Sequence, residues 1–325
     1  MGPPVSHSRE QLYVCIRDVT SSCYSTSVNS IETDTLTKRF GRVHALGGLS
    51  FSVPQGTVHA LVGPNGAGKT TLIKILMNIF RASSGTASIL GVDSKKVSGK
   101  AFTSIGYVSE NQQLPGWMRV GAFLEYLRPF YPTWDTQLEA QLAQMFDLQL
   151  DRKLKQLSRG MRMKAALASA LAFRPKLIVL DEPFSGLDPV VRDELGKALM
   201  NRAVDSTIFL SSHDLAEMEG FATHVMFLDA GRIQLCEKMS SLSARFREVA
   251  VTLAAPAPVP ANLPPAWMQV SANDSIVRFV DSAFDTDGTR AEISRQFGPV
   301  QNATFAPMTL RAIFLALGKS GRKSS

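Results

Sequence analysis

Cysteine is scarce in this chain: 325 residues contain three, Cys15, Cys23 and Cys236. Thiols at those spacings form neither an even-numbered disulfide framework nor a metal-ligand cluster, which fits a reducing compartment. Long apolar runs are missing as well. No uninterrupted stretch reaches the ~18 residues a membrane span needs, so a membrane role would be borrowed from a partner chain. The N-terminus lacks the apolar centre of a secretion signal. Excess charge is mild at +7, and part of it (Lys319, Arg322, Lys323) lies near the C-terminus. A solvated tail and a weak attraction to anionic lipid or nucleic acid are both open readings of that group. No feature predicts direct nucleic-acid binding. What is present is ordinary for a globular chain, 45% apolar and 19% charged, with length for two domains.

The most informative stretch is Gly63-Pro64-Asn65-Gly66-Ala67-Gly68-Lys69-Thr70, which fits the phosphate-cradling pattern G-x-x-x-x-G-K-[ST]. Ala60-Leu61-Val62 before it reads as the end of a buried strand, and Thr71–Phe80 after it as a helix apolar nearly all round. Glycines let such a loop turn its N–H groups inward, and the helix N-terminus adds partial positive charge. In this context the loop predicts a nucleoside triphosphate, with Lys69 reaching the β- and γ-phosphates and the Thr70 hydroxyl ligating Mg²⁺.

Residues 1–30 carry Ser/Thr clusters without periodicity and read as a flexible extension. Ile31–Thr37, Ala45–Val53 and Thr57–Val62 read as strands, with Pro54-Gln55-Gly56 as a turn. Phe40 precedes Gly41 in a turn-like segment, where it either stacks on a nucleotide base or simply packs. Residues 87–93 and Ile105–Val108 are expected as strands, the second ending at Ser109-Glu110-Asn111. Residues 112–156 are helix-rich and aromatic, with apolar spacing over Trp134–Phe146. Their aromatics form either the insert's own core or a docking face.

Leu157-Ser158-Arg159-Gly160-Met161 then feeds an alanine-rich helix running to Phe173. Ser158 is an N-cap or part of an anion site. Leu177–Leu180 is a fully apolar strand ending in Asp181-Glu182. Adjacent carboxylates at such an end are costly unless a cation or a proton transfer employs them. Beside the phosphate loop, Asp181 is the Mg²⁺-linked acid and Glu182 the candidate base for a water. A loop, a helix over Val190–Arg202 and a strand over Ser206–Ser211 follow, leading to Ser212-His213. His213 is structural or senses the γ-phosphate. Helix is expected over Leu215–Phe221 and a hairpin over 224–235. His7, His44, His59 and His224 are read as structural.

Taken in order, Gly63–Thr70, Leu157–Met161 and Leu177–Glu182, with the loop Ser185–Asp188 and Ser211-Ser212-His213 after them, resemble the nucleotide-binding subunits of ABC transporters. The resemblance runs from about Ile31 to Ser241. It implies an α/β P-loop NTPase core of ABC type with an antiparallel β subdomain and a helical subdomain over 112–156. The cofactors would be ATP and Mg²⁺. Phe40 would stack on the base, the loop Gly63–Thr71 would hold the phosphates, and Glu182 would be the general base with His213 on the γ-phosphate. Ser158, Arg159 and Gly160 would lie against the ATP held by a second ATPase subunit, in a head-to-tail homo- or heterodimer. A separate membrane permease would dock on the helical subdomain, placing the chain on the cytoplasmic face of the cell membrane.

Three positions depart from the family pattern. Glu110 stands where Gln is usual and would still ligate Mg²⁺; Arg159 and Met161 replace Gly and Gln. Arg159 either adds a cation near phosphate or points to solvent. Glu110 with LSRGM looks most like the exporter-type subunits. A soluble ABC-type ATPase of DNA repair or translation is the alternative. It fits less well, because too little chain separates Lys69 from Ser158 for a long coiled coil, and there is one phosphate loop, not two. Residues 242–325 read as a small α+β appendage, with strands near 246–256, 266–271, 275–280 and 300–305 and helices near 288–297 and 309–317. It carries no catalytic constellation.

Overall fold

The computed structural model describes residues 28–256 and 258–322, with side chains to 317. The expected extension therefore lies outside the described residues up to residue 27, as do the side chains of Lys319, Arg322 and Lys323. The chain divides into two compact units, one of residues up to 214 plus 220–237, the other of 215–219 plus 238 onward.

The first unit begins with an antiparallel sheet in the order β2-β1-β4-β5. Its strands are β1 (Asn29–Phe40), β2 (Val43–Pro54), β4 (Ser84–Ile89) and β5 (Val92–Asp93). The single strand expected over 87–93 is instead a hairpin, because Leu90 and Gly91 take φ of 49° and 76° and turn the chain back. The second sheet has the order β10-β9-β3-β8-β7-β6. Its members are β3 (Val58–Val62), β6 (Ile105–Val108), β7 (Leu177–Leu180), β8 (Thr207–Ser212), β9 (His224–Asp229) and β10 (Arg232–Lys238). β3 runs parallel to β8 and β9, and β7 parallel to β6 and β8. Strands β3, β7 and β8 are buried at every position, which is why they read as continuous apolar runs without alternation.

Helix α1 (Lys69–Leu76) buries Leu72, Ile73, Ile75 and Leu76 in a core shared with Leu61, Phe209 and Leu228. It ends four residues earlier than the apolar run, where Asn78 takes a φ of 55°. Phe51 stacks on Phe209 at 6.3 Å, which fastens the antiparallel sheet to the parallel one. The region 112–156 supplies α2 (Val120–Leu127) and α3 (Thr136–Met145). Asp135 caps α3, accepting from the Leu138 N–H. The alanine-rich helix α4 (Arg159–Leu171) buries every residue from Met163 to Leu171, and α5 (Pro189–Ala203) follows β7. The helix expected over 215–221 is reduced to one 3₁₀ turn, Ala216–Met218.

Beyond its segment 215–219, the second unit continues with a short helix that the sequence did not signal, α6 (Met239–Arg245). An antiparallel sheet of order β12-β13-β11-β14 follows, built from β11 (Arg247–Leu253), β12 (Trp267–Asn273), β13 (Ile276–Asp281) and β14 (Val300–Pro307). Alternation in β11 sends Val249, Val251 and Leu253 inward. They meet Trp267, Val277 and Phe279, and Ile293 and Phe297 of α7 (Thr286–Phe297). Helix α8 (Leu310–Arg322) closes the chain. Among the described residues, no helix is long and apolar enough to cross a membrane.

Candidate functional site

Parallel strands deliver their functional residues at their C-terminal ends. β3 runs into the loop 63–68, β7 into Asp181-Glu182, and β8 into His213. The approach at Gly63 is closer than any side chain permits: a Cβ there would sit 2.1 Å from the carbonyl oxygen of Leu228. Pro64, Asn65, Gly66 and Thr70 are exposed, whereas Ala67 and Lys69 are buried. Helix α1 starts at Lys69 without a side-chain cap, so its first-turn N–H groups remain available to an anion. Thr71 is half-buried in that turn.

Lys69 is the pivot. Its Nζ donates to the carbonyls of Gly63 (2.6 Å) and Pro64 (3.3 Å) and pairs with Glu182 Oε1 at 3.1 Å. The other carboxylate oxygen, Oε2, lies 2.7 Å from His213 Nδ1 and accepts the His213 N–H at 3.2 Å. Both oxygens of Glu182 are therefore held. Its backbone is held too: φ is 52°, a conformation costing a non-glycine residue about 1–3 kcal/mol, and its N–H donates to Ser211 Oγ at 2.9 Å.

Beside this line, Thr70 Oγ1 donates to Asp181 Oδ1 at 3.1 Å, and Ser211 Oγ donates to the same oxygen at 2.7 Å. Burial pushes the Asp181 carboxyl above the usual range; bonds from Ser211 and Thr70 pull against it, while Glu182 and Glu110 push with it. Oxygens of Thr70 and Asp181 form the hard donor set that suits Mg²⁺. Among the described residues no group of three or more His, Cys, Asp and Glu gathers to hold a metal. A cation at Thr70 and Asp181 would thus share its shell with a ligand's oxygens, the usual arrangement for Mg²⁺.

The other expected residues are not hydrogen-bonded to this cluster. Phe40 ends β1, 45% exposed, with Phe80 edge-on at 5.6 Å and Lys38 Nζ 4.7 Å from its ring. Ser158 caps α4, accepting from the Met161 N–H at 3.2 Å, and Ser158 and Arg159 are exposed with Gly160 half-buried. The Arg159 side chain is 45% exposed, and its guanidinium pairs with Glu110 at 3.1 Å. Glu110 is accordingly engaged by Arg159 and by Ser185, whose hydroxyl donates at 3.2 Å. Sequence reasoning gave Ser211 no role, although it joins Asp181 to the Glu182 backbone. The signal was there, since a hydroxyl in a wholly buried strand needs a partner.

Comparison with known proteins gives this geometry its family. Residues 46–185 match the family described as ABC transporter. The chain is 35% identical over 216 residues to the sulfate/thiosulfate import ATP-binding protein CysA of Bradyrhizobium diazoefficiens, covering 63% of this chain and 62% of that one. It is 32% identical over 211 residues to the daunorubicin resistance ATP-binding protein DrrA2 of Streptomyces coeruleorubidus, covering 62% and 65%. Among solved structures, an ATP-binding subunit of an ABC transporter superposes with a TM-score of 0.61 at 26% identity, over 66% of this chain and 92% of that one. The chain spans less than two thirds of the length of these curated relatives. Residues 46–185, the region that holds the phosphate loop, the Asp181-Glu182 pair and helix α4, match the ABC transporter family as an ATP-binding domain.

Proposed function

We propose that this chain is an ATP-hydrolysing subunit of an ABC transporter, acting as a head-to-tail pair and driving a separate membrane permease. The observation that carries the reading is the line Lys69–Glu182–His213 beside Thr70–Asp181. Lys69, already detained by two carbonyls and a carboxylate, would exchange them for the β- and γ-phosphates of ATP in the loop Gly63–Thr71. Thr70 would hold Mg²⁺ with Asp181 behind it, and bound Mg²⁺ would neutralise charge on the β- and γ-phosphates. Glu182 would take a proton from the water attacking the γ-phosphorus, as the bond to the bridging oxygen breaks and ADP leaves. His213 keeps the Glu182 carboxylate aimed through Oε2.

Ser158 and Gly160, exposed at the start of α4, would complete the site of a second copy, and Phe40 would meet the base. Trp117, Tyr126 and Phe130 are 76%, 58% and 58% exposed in the helical region, which suits them to dock a permease at the cytoplasmic face of the membrane. We take the direction as export, on the pairing of Glu110 with LSRGM and the similarity to a resistance protein.

Two measurements test this. The purified chain should release phosphate from ATP with Mg²⁺, and Lys69→Ala should not. Affinity isolation of the tagged chain from its own membranes in mild detergent should recover a multi-span hydrophobic protein in stoichiometric amount. Ribosomal or DNA-repair proteins in its place would favour a soluble ABC-type ATPase and end the transport reading. Transport in inverted vesicles containing that partner reads the direction.

A further inference from the structure

One carboxylate oxygen joins three connections of the first unit. Glu110 Oε1 follows β6; it accepts from Arg159 Nη2, at the start of α4, and from Ser185 Oγ, in the loop after Glu182. Gly186 makes the junction possible. Its φ of +66° suits glycine, and the Arg159 guanidinium packs closely over it, 2.9 Å from where a Cβ would stand. A cation in the first turn of a helix opposes the helix dipole, and Glu110 offsets it. Glu110 also bears on Asp181: its charge adds to burial and to Glu182 in lifting that carboxyl. Left unpaired, Glu110 would set one more negative charge beside the place a triphosphate occupies.

We propose that Arg159 is a positioning residue that acts through Glu110. By pairing with this carboxylate it neutralises it and keeps it on the α4 side, so the anionic nucleotide meets one unpaired charge fewer beside Thr70 and Asp181. The inference rests on the nucleotide reading above. Both side chains are a third or more exposed, 45% for Arg159 and 34% for Glu110, so solvent screens the effect to a few-fold.

The test is a double-mutant cycle on the full chain, reading the dissociation constant of ATP in EDTA at about 50 mM and about 500 mM salt. Arg159→Gln should weaken binding about threefold to fivefold at low salt, and by less than about twofold at high salt. In the Glu110→Gln background the same substitution should cost less than about twofold at either salt. Arg159→Lys, which keeps the charge, should bind as the unmodified chain does. Melting temperatures of each variant separate a folding defect from this effect. An equal penalty in both backgrounds, a penalty indifferent to salt, or none at all would overturn the proposal while leaving the nucleotide reading intact. Failure of the unmodified chain to bind ATP would overturn both.

Discussion

Gly63 has a carbonyl where any other residue would have a side chain. The 2.1 Å that would separate a Cβ from the Leu228 oxygen cannot be relieved by rotating a rotamer, because the obstacle is backbone. Gly63→Ala must therefore displace either the loop or β9. We expect a loss of about 1–3 kcal/mol in chemical denaturation, the usual cost of overpacking, with ATP affinity falling alongside. Unchanged stability and affinity would mean the loop does not need this approach. Lys69, Thr70, Asp181, Glu182 and His213 all stand at strand ends or helix starts, where the sequence places them, and the structure bonds Lys69 and His213 to Glu182 and Thr70 to Asp181. Ser211 was legible only as a buried hydroxyl in want of a partner; the partners were not, because its two bonds reach residues some 30 positions earlier, just past the end of the neighbouring strand β7. The partner of Arg159 was not legible for a similar reason: it lies 49 positions earlier.

Strands β3 and β9 carry an unusual pair. His59 is buried, stacks on His224 at 4.4 Å, and neither of its ring nitrogens has a hydrogen-bond partner among the described residues. Burial, with His224 beside it, lowers its pKa from 6.5 to about 3. The unfolded chain therefore binds a proton at His59 between those values while the folded chain does not. Stability from this group is complete above pH 6.5 and is lost as pH falls toward 3, by about 1.4 kcal/mol per pH unit. His59→Leu should flatten stability against pH across that window; an identical slope in the variant would mean that His59 is not buried neutral. Reading His59 as structural was possible from sequence, but its want of a partner was not. Elements themselves were read best where they were apolar and short of alternatives. Leu177–Leu180 and Ile105–Val108 match the expected bounds. Residues 87–93 failed because Leu90, an apolar residue, adopts the left-handed conformation that the pattern assigns to glycine.

For the whole molecule, a helical region and a separate α+β unit follow from changes of pattern that a single sequence displays, whereas the separate antiparallel sheet of the first unit came from the family resemblance. The short helix Met239–Arg245 did not, since its polar sequence buries one side chain, Leu242. The proposed work of the molecule divides in the same way. Replacing exposed Trp117, Tyr126 and Phe130 by Ser should reduce recovery of a membrane partner and leave phosphate release by the isolated chain as it was. Loss of both together would show that these rings support the fold instead. The account as a whole depends on Glu182, held by Lys69 and His213, being the base. The measurement that tests it most directly is ATP binding and phosphate release by Glu182→Gln, side by side with the unmodified chain. The account predicts that the variant still binds ATP, accumulates as an ATP-bound dimer, and turns over at least about 100-fold more slowly. Turnover at the unmodified rate would contradict it.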